Sequence, residues 1–230
     1  MNTVCIIPAR GGSKRIPRKN IKLFRGKPLL VWSIEKAIKS KCFTDVIVST
    51  EDEEIANLAI SSGAKVPFLR PKELSDDFVG TLDVVKFVIK NFNKEIKYAC
   101  CLYATAPMVL TNDLVKSYEE IQILKDDSLI FTATNFDYPI QRAFVLNSLN
   151  KASMIKKNFL FTRSQDLEKT FHDAGQFYWG KTKNWLKAKN MIDNNKAYFL
   201  PRWRVQDIDD EEDWLRAEII HKILEEKGLT

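Results

Sequence analysis

Residues 6–21, "IIPARGGSKRIPRKNI", set Arg10, Lys14, Arg15, Arg18 and Lys19 around two adjacent glycines, with no acid among them. Like charges this close repel one another, so the loop calls for an anion. Gly11 and Gly12 let backbone N–H groups turn toward a phosphate because no Cβ obstructs the approach. The Ser13 hydroxyl adds a donor, and Arg10, Lys14 and Lys19 supply neutralising charge. The spacing is neither that of a Walker A loop nor the three-glycine dinucleotide pattern. Residues 10–27 hold eight of the 36 Lys and Arg and none of the 30 acids, so the remainder balances at 28 minus 30, or −2. A positive excess confined to one loop fits a small polyanionic ligand better than a nucleic acid, which the net charge of +6 would otherwise admit.

A second cluster complements the first. "DIDDEED", residues 207–213, is acidic at six of seven positions. In an extended chain Asp207 and Asp209 project to one side while Ile208 points into the core. Two such carboxylates suit Mg²⁺, a hard cation usually held by one or two carboxylates together with substrate phosphates. Asp210 to Asp213 read instead as the acidic first turn of a helix, where negative charge is favourable. A basic phosphate cradle with a paired-carboxylate metal site, and no catalytic histidine or cysteine nearby, points to metal-assisted phosphoryl or nucleotidyl transfer.

The elements that must position these groups alternate. Apolar runs at Val4–Pro8, Asp45–Ser49, Val66–Leu69, Tyr98–Tyr103 and Leu129–Thr134 read as strands. Segments of helical period lie at Pro28–Lys39, Glu51–Ser62, Thr81–Asn91 and Asn112–Leu124, with Pro28 at a first helical position and Thr111 or Asn112 as a cap. Such alternation predicts an α/β fold with a mainly parallel sheet flanked by helices. Ligands in these sheets bind beyond the carboxyl ends of the strands, where the basic loop lies. From 137 to about 161 the alternation breaks into short pieces such as "RAFVL", a small β excursion suited to dimerisation. The core resumes at "GQFYWG" and "AYFLP" and closes with a helix from Glu211 to about Lys227.

The 230 residues fit a single domain. No run reaches the roughly 18 apolar residues of a membrane span, and no signal peptide is evident, so a cytoplasmic protein without membrane partners is expected. Cys5, Cys42, Cys100 and Cys101 lack zinc-site spacing and read as free thiols, three of them in strand-like runs. His221 falls on the apparent polar face of the last helix and is assigned no chemistry.

"IPARGGSKRIPRKNI" closely resembles the opening motif of the CMP-acylneuraminate synthetases, the cytidylyltransferases that activate sialic acids. The resemblance continues through "RPKELSDD" (70–77), "LYATAP" (102–107), "TRSQDL" (162–167) and "QDIDDEEDW" (206–214), in order and over nearly the whole length. "RSQDLEKTFHDAGQFYWG" and "PRWRVQDID" look most like the branch acting on pseudaminic acid. The resemblance implies a Rossmann-like nucleotidyltransferase fold, usually homodimeric. It also implies conversion of CTP and a nonulosonic acid to the CMP-sugar and pyrophosphate with Mg²⁺. Carried over by motif, Arg10, Gly11, Gly12, Ser13 and Lys14 hold the triphosphate and Lys19 stabilises charge at the reacting phosphate. Asn20, Arg70 and Thr81 contact the cytidine, and Asp207 and Asp209 carry the metal. Tyr103, Thr105, Arg163, Gln165, Phe177 and Tyr178 line the sugar site, with Arg163 on the sugar carboxylate.

Two departures fall in the sugar half. Tyr103-Ala104-Thr105-Ala106-Pro107 stands where sialic acid enzymes read Gln-Pro-Thr-Ser-Pro, and Ser164 replaces a common second arginine. N-acetylneuraminic or legionaminic acid is therefore the alternative acceptor. A noncatalytic nucleotide- or RNA-binding module is the distant alternative, disfavoured by the lack of a second basic patch with interleaved aromatics.

Overall fold

In the computed structural model, residues 2–76 and 79–229 are described; Asp77, the last residue of the "RPKELSDD" motif, lies outside them. The strands are β1 (Thr3–Pro8), β2 (Leu23–Phe24), β3 (Lys27–Pro28), β4 (Asp45–Ser49), β5 (Tyr98–Leu102), β6 (Ile130–Asn135), β7 (Phe144–Leu146), β8 (Ala152–Met154), β9 (Phe171–Lys181) and β10 (Lys196–Phe199). The α-helices are α1 (Leu29–Ser40), α2 (Glu53–Ser61), α3 (Thr81–Asn91), α4 (Thr111–Ile123), α5 (Thr182–Lys187) and α6 (Glu211–Glu226).

The main sheet has the order β10-β6-β9-β5-β1-β4, with β9 antiparallel to both neighbours and the other pairs parallel. β1 thus pairs with β4 on one side and β5 on the other. The chain leaves β1 by α1 toward β4 and later returns to the opposite flank, so a switch point lies between β1 and β5. At such a point the loops diverge and leave a crevice. β1, β4 and β5 are almost wholly buried, as continuous apolar runs between two helical layers must be. Side chains alternate between two cores. One contains Cys5, Ile7, Leu30, Ile34 and Phe177, the other Val4, Ile6, Val85, Val88 and Tyr178.

The expected strand at 66–69 is absent. Lys65 alone bridges Ile47, accepting from the Val48 N–H and donating to Val46. The next residue that should donate to β4 is Pro67, which has no N–H, so pairing stops and the chain turns away. The start of α4 also differs. Leu110 is the flanking residue, and its N–H donates to Asp113 Oδ2 at 2.9 Å; neither Thr111 nor Asn112 caps the helix. Pro28 sits just before α1 rather than at its first turn.

His221 is not on a polar face: it is wholly buried, 4.2 Å from the Trp32 ring centroid and 5.5 Å from Phe24. Trp214, Ala217, His221 and Leu224 form the buried stripe of α6. Desolvation lowers the imidazole pKa to about 4. Cys5, Cys100 and Cys101 are buried free thiols and Cys42 is half-buried.

Residues 137–161 form an excursion built on the β7–β8 hairpin. It carries an exposed apolar surface, with Phe144, Leu146, Leu149 and Phe161 all more than half exposed. Among the described residues, no helix is long and apolar enough to cross a membrane.

Candidate active site

The basic loop follows β1 directly, so its backbone is anchored at one end by the sheet. Asn20 Nδ2 donates to the Arg10 carbonyl at 2.8 Å and closes the loop on itself. The Gly11 N–H donates to Glu51 Oε1 at 2.7 Å, and Glu51 Oε2 accepts from Arg70 Nη2 at 2.8 Å. A Cβ at Gly11 would lie 2.5 Å from Asp52 Oδ2, whereas one at Gly12 would meet nothing within 4 Å. The two glycines thus differ: Gly11 permits close packing on the start of α2, and Gly12 keeps an open face.

The eight cations of residues 10–27 divide as well. Arg18 pairs with Asp52 and Glu54, Lys22 with Glu211, Arg25 with Glu225 and Lys27 with Glu35. Asp52 in turn caps α2 by accepting from the Ile55 N–H at 3.0 Å, and its carboxyl is held below the usual range chiefly by Arg18. These four are met by acids of the protein itself. Arg10, Lys14, Arg15 and Lys19 line a cavity of about 540 Å³ in the β1–β5 crevice.

That cavity also collects Ser13, Asn20, Arg70, Thr81, Tyr103, Thr105 and Asp209, residues from five separate parts of the chain. Arg70 is buried, held by Glu51 and by Ser75 Oγ, which accepts from Nε at 3.0 Å. Tyr103 Oη is 3.1 Å from Thr81 Oγ1, and burial pushes its phenol up to about 12, so it stays a neutral hydrogen-bonding group.

Asp207-Ile208-Asp209 runs past the mouth of this cavity. Ile208 is fully buried against Ile16 and Trp214, which leaves both aspartates on the other side of the extended segment. Asp209 lines the first cavity and takes Arg15 at 2.7 Å and Lys19 at 3.6 Å. Lys19 Nζ also donates to the Ile208 carbonyl at 2.5 Å; burial lowers its pKa while Asp209 and Asp207 oppose that. Asp207 lines a second cavity, of about 690 Å³. Desolvation first, and then the neighbouring Asp209 charge, raise its pKa, while Lys19 and Arg15 oppose the shift. Such a pair fits a divalent cation. Among the described residues no group of three or more candidate ligands gathers, so substrate oxygens would complete the shell.

Glu211, Glu212 and Asp213 form the acidic first turn of α6, as their position suggested, and Asp210 and Asp213 act on the backbone. Asp210 accepts from the Asp213 N–H, and Asp213 accepts from the N–H groups of Asp209 and Asp210 and from Gln206 Nε2. Upstream, Arg204 forms a bidentate pair with Asp113, both partners buried. This pair anchors the segment leading to Asp207 onto α4. Nothing about Arg204 beyond its place in "PRWRVQDID" marked it, and its partner lies 91 positions away. Glu51 and Arg15 also went unassigned, though Glu51 follows the carboxyl end of β4, a position where ligand-facing residues are expected.

The expected sugar residues are not brought together. Tyr103 and Thr105 line the first cavity. Phe177 is fully buried against Tyr198, and Tyr178 donates to Asp173 Oδ2 at 2.6 Å from within the other core; neither lines either cavity. Strand alternation on a sheet covered on both faces directs each into packing. Arg163 lies in an exposed turn, 2.8 Å from Asp166, with Gln165 exposed beside it, and neither lines either cavity.

A family model described as cytidylyltransferase matches residues 4–207. The pseudaminic acid cytidylyltransferase of Campylobacter jejuni subsp. jejuni serotype O:23/36 (strain 81-176) is 46% identical over 232 residues, covering 99% of this chain and 100% of that protein. The Helicobacter pylori (strain ATCC 700392 / 26695) protein named pseudaminic acid cytidylyltransferase and UDP-2,4-diacetamido-2,4,6-trideoxy-beta-L-altropyranose hydrolase is 36% identical over 210 residues, 90% of this chain and 40% of that one. The solved structure of CMP:2-keto-3-deoxy-manno-octonic acid synthetase complexed with CTP shares the fold, with a TM-score of 0.73 at 15% identity over 97% of this chain and 99% of that one.

Proposed function

The chain belongs to the cytidylyltransferase family and is a nucleotidyltransferase, and from that premise we propose that it transfers CMP from CTP to pseudaminic acid, releasing pyrophosphate. The full-length similarity to the Campylobacter jejuni enzyme carries the choice of acceptor. The cavity supports the choice of donor: Arg10, Lys14, Arg15 and Lys19 converge where Ser13, Asn20, Arg70 and Thr81 line the crevice.

In this reading the anomeric hydroxyl attacks the α-phosphorus of CTP, forming an O–P bond as the bond to pyrophosphate breaks. Negative charge grows toward the leaving group, and fixed cations placed there stabilise it as it develops. Arg10 and Lys14 take the triphosphate beside the open face of Gly12. Lys19, steadied by the Ile208 carbonyl, stands between the phosphates and the aspartates. Asp207 and Asp209 would hold magnesium, which when bound supplies charge neutralisation at the phosphate oxygens. Thr81 and Arg70 are assigned to the cytidine side of the cavity.

We assign the exposed apolar excursion around β7–β8 to a homodimer contact, the single domain to residues 1–230, and the activity to the cytoplasm, where CTP is made. Pyrophosphate release is the test, measured with each of four nucleoside triphosphates, Mg²⁺ and a panel of nonulosonic acids. CTP with pseudaminic acid is expected to give the highest kcat/KM. Preference for N-acetylneuraminic or legionaminic acid would move the acceptor, and no CTP-dependent release with any sugar acid would overturn the reading.

A further inference from the structure

We propose that the second cavity seats the acceptor and that Arg216 binds its carboxylate, an inference that rests on the nonulosonic acid reading above. In such a sugar the anomeric carbon bears both the attacking hydroxyl and the carboxylate. The group that recognises the carboxylate must therefore lie close to the aspartates beside which the hydroxyl reacts. Asp207 opens into the 690 Å³ cavity, not into the one that collects the nucleotide residues.

Two arginines line that cavity, Arg202 and Arg216. Arg202 Nε is committed to Asp137 Oδ1 at 2.5 Å. Arg216, on the second turn of α6, has no ion pair or hydrogen bond to any described residue. A guanidinium held on a helix at the lip of a cavity, with its donors unspent, suits bidentate capture of a carboxylate. The walls fit the rest of the sugar. Trp203 is 47% and Tyr138 83% exposed, and aromatic faces left open beside a cavity suit a ring bearing a methyl and acylamino groups. Arg163, the cation expected from the sequence for this task, is already paired and lines neither cavity.

The test compares the free acid with its methyl ester, which keeps the ring and anomeric hydroxyl but removes the charge. Wild-type enzyme should prefer the acid by roughly 10- to 100-fold in kcat/KM, the scale of a charge-assisted hydrogen-bonded pair. Arg216→Gln should erase that preference through a raised KM for the acid, and Arg216→Lys should restore part of it. KM for CTP should stay within about twofold and Tm within about 2 °C of wild type in both, so that a raised KM for the acid alone marks the acceptor side. Equal use of acid and ester by wild type would overturn the proposal. So would a preference that survives Arg216→Gln, or one lost in Arg163→Gln instead. Wild-type turnover with no sugar acid at all would remove the underlying function as well, and that result is distinct from the others.

Discussion

Replacing Arg204 with methionine isolates the contribution of the buried pair behind the aspartates. Arg204 Nη1 and Nη2 each lie 2.7 Å from one oxygen of Asp113, and the residues are 5% and 7% exposed. Asp113 Oδ2 also accepts the Leu110 N–H at the start of α4. Removing the guanidinium leaves a carboxylate buried without its counter-charge, a change that costs about 3–5 kcal/mol. For a chain of this size each kcal/mol moves Tm by about 2–4 °C, so Arg204→Met should melt roughly 6–20 °C lower by calorimetry. The double variant Arg204→Met/Asp113→Leu removes the stranded charge and leaves chiefly the Leu110 N–H unsatisfied, at about 1–3 kcal/mol. It should therefore be more stable than the single variant. At a temperature where Arg204→Met is still folded, turnover should fall, because Asp207 is three residues from the lost anchor. A loss below about 1 kcal/mol in the single variant, or a double variant whose losses simply add, would refute the argument that burial makes this pair strong.

Gly11→Ala should lower stability by roughly 1–3 kcal/mol in urea unfolding, because its Cβ pushes on the Asp52 cap and the Arg18 pair, whereas Gly12→Ala should leave unfolding within about 0.5 kcal/mol and raise KM for CTP. Equal stability losses at the two glycines would remove the distinction drawn between them. Asp207→Asn and Asp209→Asn should each cut kcat by roughly 100-fold or more, the first without lowering Tm because it relieves repulsion and desolvation at Asp207; turnover within a few-fold of wild type in both would end the metal assignment. His221 has its folded-state pKa lowered to about 4, so the unfolded chain takes up the proton first and stability present above pH 6.5 is lost as pH falls toward 4. Between pH 7 and pH 4.5 the wild type should lose about 2–3 kcal/mol more than His221→Phe, and parallel pH profiles for the two would contradict the buried neutral imidazole.

The sequence was most legible where a residue's role depends on its neighbours in the chain. Thr3–Pro8 and Tyr98–Leu102 read as strands because unbroken apolar runs of that length leave few alternatives, and the basic loop had to follow the first of them. Asp210 and Asp213 read as a helix start because capping is local. Legibility failed where the partner is remote. Nothing local to Arg18, Lys22 and Arg25 marks them within the run, yet acids 34, 189 and 200 positions away claim them. Phe177 and Tyr178 looked available until both faces of β9 proved covered, and His221 looked polar until Phe24 and Trp32 closed over it.

The spacing of the two aspartates has a physical reason that neither residue shows alone. Along an extended segment alternate residues lie roughly 6.5–7 Å apart, and Ile208 buried between them fixes which side both carboxylates take. That separation lets Asp209 line the first cavity while Asp207 lines its neighbour. Adjacent aspartates would point to opposite sides, and a spacing of three would do the same. With Arg15 and Lys19 on Asp209 and the Arg204–Asp113 pair anchoring the approach, the segment is held as a partition between the two cavities. On the reading proposed above, a partition held this way keeps donor and acceptor in a fixed relation before reaction, and fixed relation is where much of the rate of a group transfer originates.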